Sequence, residues 1–169
     1  MIEFIFNNEK AKELILFFAS QKKGATKLEI LKYLFFSDLY HLNKYGRPIL
    51  GGDYKAMKLG PVSSQLYNMM KEDNDDFVIV NQVIKPHRAV NLEYFSASDI
   101  EAMEYAYKTY CKYSGRQLSD ISHEHKSWEN ARKREPWSNN PQMNFEEFFD
   151  EGHEETIEFL NQNSILMAI

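Results

Sequence analysis

One helix that is apolar over most of its circumference constrains the fold of this chain more than any other feature. Residues 26–44 carry Leu, Ile, Phe and Tyr side chains at helical spacing and on both flanks of that stripe. Such a helix must be covered on several sides, so the other segments have to pack around it. Thr26 and Glu29 match a capping box at its start, and Gly46 with Pro48 stops it.

Other segments show similar periodicity, which predicts a mainly α (α+β) fold: a single globular helical domain around the central buried helix. Asn7 or Asn8 caps the first outer helix, and Ser98 with Glu101 caps a later one. The predicted outer helices are residues 8–22, 62–72, 99–113, one or two short helices within 116–134, and an acidic helix over 145–160 that Gly152 interrupts.

Short apolar runs predict a small antiparallel β-hairpin or sheet. Residues 77–80 are compact and apolar, and residues 90–95 are their predicted pairing partner. Residues 49–59 fit a short strand or extended segment, after which Gly60 and Pro61 introduce the third helix.

Length and charge suggest one domain with an acidic end. Its 169 residues suit a domain over residues 1–141, with 142–169 as an acidic C-terminal helix and apolar tail packed on or extending it. Residues 1–60 hold 10 Lys/Arg and 6 Asp/Glu, whereas residues 121–169 hold 4 and 10. An acidic end favours solubility or a basic protein partner over nucleic acid.

We expect the tail 165–169 to pack as a last piece of core.

The sequence also predicts a cytoplasmic protein. Cys111 is the only cysteine, so an internal disulfide is impossible and a reducing compartment fits. The chain has no basic-then-apolar leader and no apolar run near the roughly 18 residues of a membrane span. We therefore expect neither secretion nor a membrane-spanning segment.

Two helices joined by a tight turn at Gly24 raise the possibility of a helix-turn-helix DNA-binding motif. A recognition helix needs a polar, basic outer face for base edges and phosphates. Residues 26–44 use that face for apolar side chains, so nucleic-acid binding is not expected.

Two groups of polar residues are candidates for chemistry. His123 and His125 form an H-x-H pair, but on a helix they point about 200° apart, so we expect no metal site, with His123 buried and His125 exposed. Asp38, His41 and Lys58 could act as acid, base and clamp, yet no nucleophile motif supports an enzyme. The simpler interpretation is that Asp38 and His41 tie the central helix to the following loop and Lys58 pairs with a carboxylate. We therefore predict no catalytic residue and no cofactor.

The central stretch carries a resemblance to a known family. Its blocks are Leu31-x-x-Leu34-Phe35-Phe36-Ser37-Asp38-x-x-His41, Tyr45-Gly46-Arg47-Pro48-Ile49, Tyr54-x-Ala56-Met57-Lys58-x-Gly60-Pro61-Val62, Leu66-Tyr67, and downstream Leu118-Ser119, His123 and Trp128-x-x-Ala131-Arg132. Together they resemble the SocA-like Panacea domain of phage-associated proteins, long catalogued as a domain of unknown function. The resemblance spans about residues 10–135, so nothing functional transfers to residues 142–169.

The resemblance implies an antitoxin of a bacterial or prophage toxin–antitoxin system, which neutralises a cognate protein toxin by direct protein–protein binding. Proteins of this family are associated with many unrelated toxins, including translation-blocking nucleotidyl- and pyrophosphotransferases and membrane-active peptides. One member acts as an adaptor that delivers its toxin to an ATP-dependent protease. The alternative function is therefore a proteolytic adaptor, with that protease as a further partner.

The family motif supplies the candidate toxin-binding residues, each of which can instead belong to the scaffold. Tyr45, Tyr54 and Tyr67 lie beside the Gly/Pro turns and are the first expected aromatic contacts. The other motif residues are Asp38, His41, Pro48, Lys58, Gly60, Pro61, His123 and Trp128.

Overall fold

Residues 1–167 are described by a computed structural model, which places side chains for residues 1–163. This part of the chain is 55% helical, with seven α-helices and two two-stranded antiparallel sheets, so the mainly α (α+β) prediction is confirmed. The elements in chain order are α1 (Asn8–Gln21), α2 (Lys27–Tyr45), β1 (Tyr54–Met57), β2 (Gly60–Ser63), α3 (Ser64–Lys71), β3 (Phe77–Val80), β4 (Val83–Pro86), α4 (Ala97–Tyr110), α5 (Gly115–His123), α6 (Lys126–Arg134) and α7 (Glu154–Met167), with 3₁₀ turns at Leu92–Tyr94 and Phe145–Phe148.

The helix α2 lies at the centre of the fold and has the ends that its sequence predicts. Thr26 and Glu29 form the capping box at its start, and Gly46 ends it in the left-handed conformation at φ 79°. Twelve of its 19 residues are buried. The helix therefore lacks the continuous polar face that a DNA recognition helix needs.

The strands β1 and β2 form a hairpin between α2 and α3. Tyr54 pairs with Ser63, and Lys55 pairs with Val62. Because Val62 and Ser63 stay extended to make these pairs, α3 begins at Ser64, later than predicted. The Ser63 side chain accepts a hydrogen bond from the Leu66 amide and so caps α3.

The second hairpin corrects a predicted strand. The pairing partner of β3 is β4 rather than residues 90–95, and Val80 pairs with Val83 across a two-residue turn. Asn81 and Gln82 both adopt positive φ, 51° and 70°, which is the geometry that lets a two-residue turn match the strand twist. The chain therefore reverses direction directly after β3, and β4 follows the turn immediately.

The predicted cap of α4 is also wrong. Ser96 and Asp99 form its capping box, instead of Ser98 and Glu101. Ser98 hydrogen-bonds the ring of His41, and Glu101 accepts a hydrogen bond from Tyr40, so both side chains serve contacts with α2.

Residues 145–160 form two elements instead of one interrupted helix. Asn43 of α2 donates to the carbonyl of Phe148 at 3.0 Å and accepts from the amide of Asp150 at 2.7 Å. These backbone groups would be needed to continue a helix, so the helix does not continue and α7 begins only at Glu154. Gly152, at φ 91°, lies in the intervening turn.

The start of the C-terminal segment packs against the rest of the chain. Met143 donates its amide to the Tyr54 carbonyl at 2.9 Å, and Phe145, Phe148 and Phe149 are buried. The division between residues 141 and 142 stays a prediction. The tail 165–169, which we expect to pack, lies outside the residues whose side chains the structure describes.

Candidate functional site

Asp38 connects α2 to the two segments that follow it. One carboxylate oxygen accepts from the Ile49 amide at 2.7 Å, and the other accepts from the Tyr54 hydroxyl at 2.6 Å. Burial raises the pKa of Asp38 to about 7, although both donors oppose the shift. Both carboxylate oxygens are therefore used inside the fold.

His41 fixes the turn after α2. Its Nδ1 donates to the Arg47 carbonyl at 2.7 Å, and its Nε2 lies 2.9 Å from the Ser98 hydroxyl. Burial lowers the pKa of His41, which favours the neutral ring. Buried Asp99 lies beside it and pairs with Arg47 at 2.9 Å. The interpretation that Asp38 and His41 tie the central helix to the following loop is confirmed.

The downstream motif block holds the tip of the β1–β2 hairpin through three backbone carbonyls. Trp128 donates to the Met57 carbonyl at 2.9 Å, and His123 donates to the Lys58 carbonyl at 3.0 Å. Arg132 donates to the carbonyl of Ala56 at 3.0 Å. The rings of His123 and Trp128 stack with centroids 4.2 Å apart. The two motif blocks, distant in sequence, therefore meet at this hairpin.

We call this assembly the motif joint: Asp38, His41, Tyr54 and the β1–β2 hairpin, with His123, Trp128 and Arg132. The expectation that His123 is buried and His125 exposed is wrong, because both are half-buried. Burial lowers the pKa of His125 to about 4, so its ring is neutral at pH 7.

Lys32 is a buried residue that contacts the hairpin of the motif joint and that sequence reasoning missed. Its ammonium nitrogen is fully buried and donates to the Pro61 carbonyl at 2.9 Å. Burial lowers the pKa of Lys32 to about 7. Gly60 lies against it at φ 108°, and a Cβ there would come within 2.3 Å of the Ser122 hydroxyl. The available signal was a lysine within an otherwise apolar run of the central helix.

The remaining motif residues occupy different environments. Pro48 and Tyr54 are buried, so the expectation of an exposed Tyr54 is wrong. Lys58 is exposed at the hairpin tip, and in the described part of the chain no carboxylate forms an ion pair with it, so that expectation is also wrong. Tyr67 is half-buried, with the Lys71 ammonium 4.0 Å from its ring centroid.

Asp38, His41 and Lys58 do not form a common site. Asp38 and His41 are buried and bonded to backbone groups of the following loop, whereas Lys58 is exposed. Within residues 1–167, we find no group of three or more His, Cys, Asp or Glu residues that could hold a metal ion. None of the helices described in that range is long and apolar enough to cross a membrane.

An aromatic groove of about 430 Å³ opens between α2 and α4. Phe36 stacks on Tyr110 with ring centroids 3.8 Å apart, and Tyr40 stacks on Tyr105 at 4.4 Å. Asp150 lines the same groove. Tyr105 is 44% exposed, so part of the stacked surface faces solvent.

A hydrogen-bonded cluster borders the aromatic groove. Glu101 accepts hydrogen bonds from the hydroxyls of Tyr40 and Tyr45 at 3.0 and 2.8 Å and from the ammonium of Lys44 at 3.0 Å. The tyrosine rings are thereby held in place while Tyr45 stays 42% exposed. Rigid, partly exposed tyrosines of this kind can anchor a protein partner at low entropic cost.

Sequence reasoning named Tyr45, which borders this groove through Glu101, as a candidate contact, but missed Tyr40 and Tyr105, which line the groove. The signal for Tyr105 was the clustering of Tyr105, Tyr107 and Tyr110 in one helix, since a single buried face cannot cover all three.

These observations define a mainly helical domain in which a small hairpin is fixed to one buried central helix. A family model described as "Antitoxin SocA-like, Panacea domain" matches residues 30–129, which is more than half of the chain. The chain belongs to this family, as its motifs predict. A comparison with curated proteins gives no match, and a comparison with solved structures gives none either. Membership supports an antitoxin-type role.

Proposed function

We propose that this protein is an antitoxin of a toxin–antitoxin system and neutralises a cognate protein toxin by binding it directly. The observation that carries the proposal is the family match over residues 30–129. The bound toxin is inhibited because its active site is covered or because it is held in an inactive form. The protein itself performs no catalytic step in this proposal.

The aromatic groove is the surface that we assign to the toxin. Interface hot spots are enriched in tyrosine, and two partly exposed tyrosines can serve as such anchors: Tyr105 in the groove and Tyr45 at its border. The motif joint is less suitable, since the side chains that define it are buried or half-buried and form hydrogen bonds within the protein. A stable complex would bury about 1,600 Å² in total, so the groove would be the centre of a larger interface.

The test is co-expression with the adjacent reading frame in a growth assay, followed by co-purification. We expect growth rescue and a stable complex from the wild-type chain. Tyr105→Ala should weaken the complex by about 2 kcal/mol or more, as truncation of a hot-spot residue does. Tyr94→Ala is the matched control, because Tyr94 is also 44% exposed but lies outside the aromatic groove.

Other results would redirect the proposal. A harmless neighbour would remove the antitoxin role. Rescue that requires an ATP-dependent protease, without inhibition of the toxin in a purified system, would favour the proteolytic adaptor. Equal binding by Tyr105→Ala and the wild-type chain would move the interface away from the aromatic groove.

A further inference from the structure

The second hairpin has one paired edge and one open edge. On one side of β4, the Ile84 amide donates to the Ala25 carbonyl at 2.9 Å, and the Lys27 amide donates to the Gln82 carbonyl at 2.8 Å. The turn before α2 therefore covers β4. The strand β3 has β4 on one side only.

The register of the hairpin shows which groups of β3 point away from β4. In an antiparallel pair, residues alternate between those bonded to the partner strand and those whose backbone groups point outward. The His87 amide donates to the Asp76 carbonyl at 2.8 Å, and the Ile84 amide points outward to Ala25. Ile79 is paired with Ile84, so its N–H and C=O also point outward. Across the described residues, neither group of Ile79 has a protein partner.

The side chains next to this edge are apolar and accessible. Val78 and Val80 project to the same face and are 42% and 43% exposed. A cleft of about 240 Å³ runs beside the strand, lined by Met70, Phe77 and Ile79 among others. An added strand could therefore place alternate side chains into the cleft and against the valines.

Acidic residues lie at the start of β3. Glu72, Asp73 and Asp75 are exposed, and none of them forms an ion pair with another described residue. Asp76 differs, because Arg88 pairs with it at 2.7 Å. These three carboxylates outnumber the exposed lysines nearby, Lys71 and Lys85, and so favour a basic segment beside this edge.

We propose that β3 accepts an extended, basic and apolar segment of a partner protein as an additional strand. The main-chain groups of Ile79 supply hydrogen bonds, and Val78 and Val80 supply apolar contact. The carboxylates that precede β3 select basic side chains. That this partner is the toxin rests on the proposed function. That β3 can accept a strand rests only on the geometry of its open edge.

The first experiment measures amide hydrogen exchange of the isotope-labelled full chain with a synthetic peptide of alternating valine and lysine. We expect the peptide to slow exchange of the Ile79 amide at least tenfold, while exchange of the Ile84 amide stays unchanged because it is already hydrogen-bonded. An unchanged rate at Ile79 would overturn the proposal. Equal protection by a peptide of alternating valine and glutamate would overturn the preference for a basic segment.

The second experiment uses a Val78→Lys/Val80→Lys variant, which should fold because both side chains are exposed. We expect it to lose the peptide-induced protection of Ile79 and to reduce co-purification of the toxin at least tenfold. Leu92→Lys, at a 47% exposed leucine away from β3, is the matched control. Retained co-purification by the valine variant, with growth rescue intact, would overturn toxin binding at β3 and leave the antitoxin proposal standing. A wild-type chain that binds the peptide without rescuing growth would instead overturn the antitoxin role alone.

Discussion

The motif joint and the aromatic groove use similar residue types in opposite ways. In the motif joint, Tyr54 is 1% exposed and its hydroxyl donates to buried Asp38. In the aromatic groove, Tyr105 is 44% exposed, and at the border of the groove Tyr45 donates to Glu101. Several residues that carry the family resemblance, among them Asp38, His41 and Tyr54, therefore form hydrogen bonds within the fold. Family membership consequently indicates the fold more directly than it indicates which partner the surface binds.

Tyr54→Ala gives the largest expected effect on the scaffold side of this comparison. Truncation of a large buried aromatic side chain costs about 3–5 kcal/mol, because contacts are lost and a cavity remains. Here the loss would also leave one Asp38 oxygen without its donor. Chemical denaturation followed by circular dichroism measures the change. A loss below about 1 kcal/mol would mean that the site relaxes and that Tyr54 is not central to the scaffold.

Lys32, which donates to the Pro61 carbonyl in the hairpin of the motif joint, allows a test of this region through pH. Its pKa in the folded state is lowered to about 7, so above that pH the unfolded chain binds a proton that the folded chain does not. Stability should therefore rise with pH, by up to about 1.4 kcal/mol per pH unit. The raised pKa of Asp38, also about 7, acts in the opposite direction but mainly below pH 7. A window of about pH 7.5–8.5 isolates Lys32, because tyrosines whose pKa burial raises in the fold, such as Tyr33 and Tyr54, stay protonated there in the unfolded chain as well.

The measurement is the free energy of unfolding across that window for the wild-type chain and Lys32→Met. Methionine keeps an unbranched side chain and removes the titrating group. We expect the rise with pH to disappear in the variant. A rise of equal size in both proteins would show that another group causes it.

The boundaries of the central helix could be predicted because their signals are local. The capping box at Thr26 and the left-handed stop at Gly46 depend on residues within one turn. The role of Asp38 was also accessible, since its partner Ile49 follows 11 residues later. The contact of Lys32 could not be predicted in this way, because its acceptor is the Pro61 carbonyl, 29 residues away.

The aromatic groove could not be predicted for a related reason. Helical periodicity indicates which side chains of α4 share a face, but not which face another element will cover. Tyr107 and Tyr110 lie near one another on the inner side of α4, where Tyr110 lines the aromatic groove, and Tyr105 forms the outer part of the groove. Only the packing of α4 against α2 decides this. The position of β4 could not be predicted either, because it depends on the positive φ angles that Asn81 and Gln82 adopt in the turn.

Lys58→Ala gives the smallest expected effect. It tests whether an exposed residue of the family motif takes part in toxin binding. Lys58 lies four residues after Tyr54, but its side chain is exposed and only its carbonyl is used, as the acceptor for His123. Alanine keeps that carbonyl, so the free energy of unfolding should change by less than about 0.5 kcal/mol. Growth rescue should also persist, because Lys58 lies outside the aromatic groove. If rescue is lost while the variant remains folded, the hairpin tip belongs to the toxin interface, and the motif joint contributes to partner binding as well as to the scaffold.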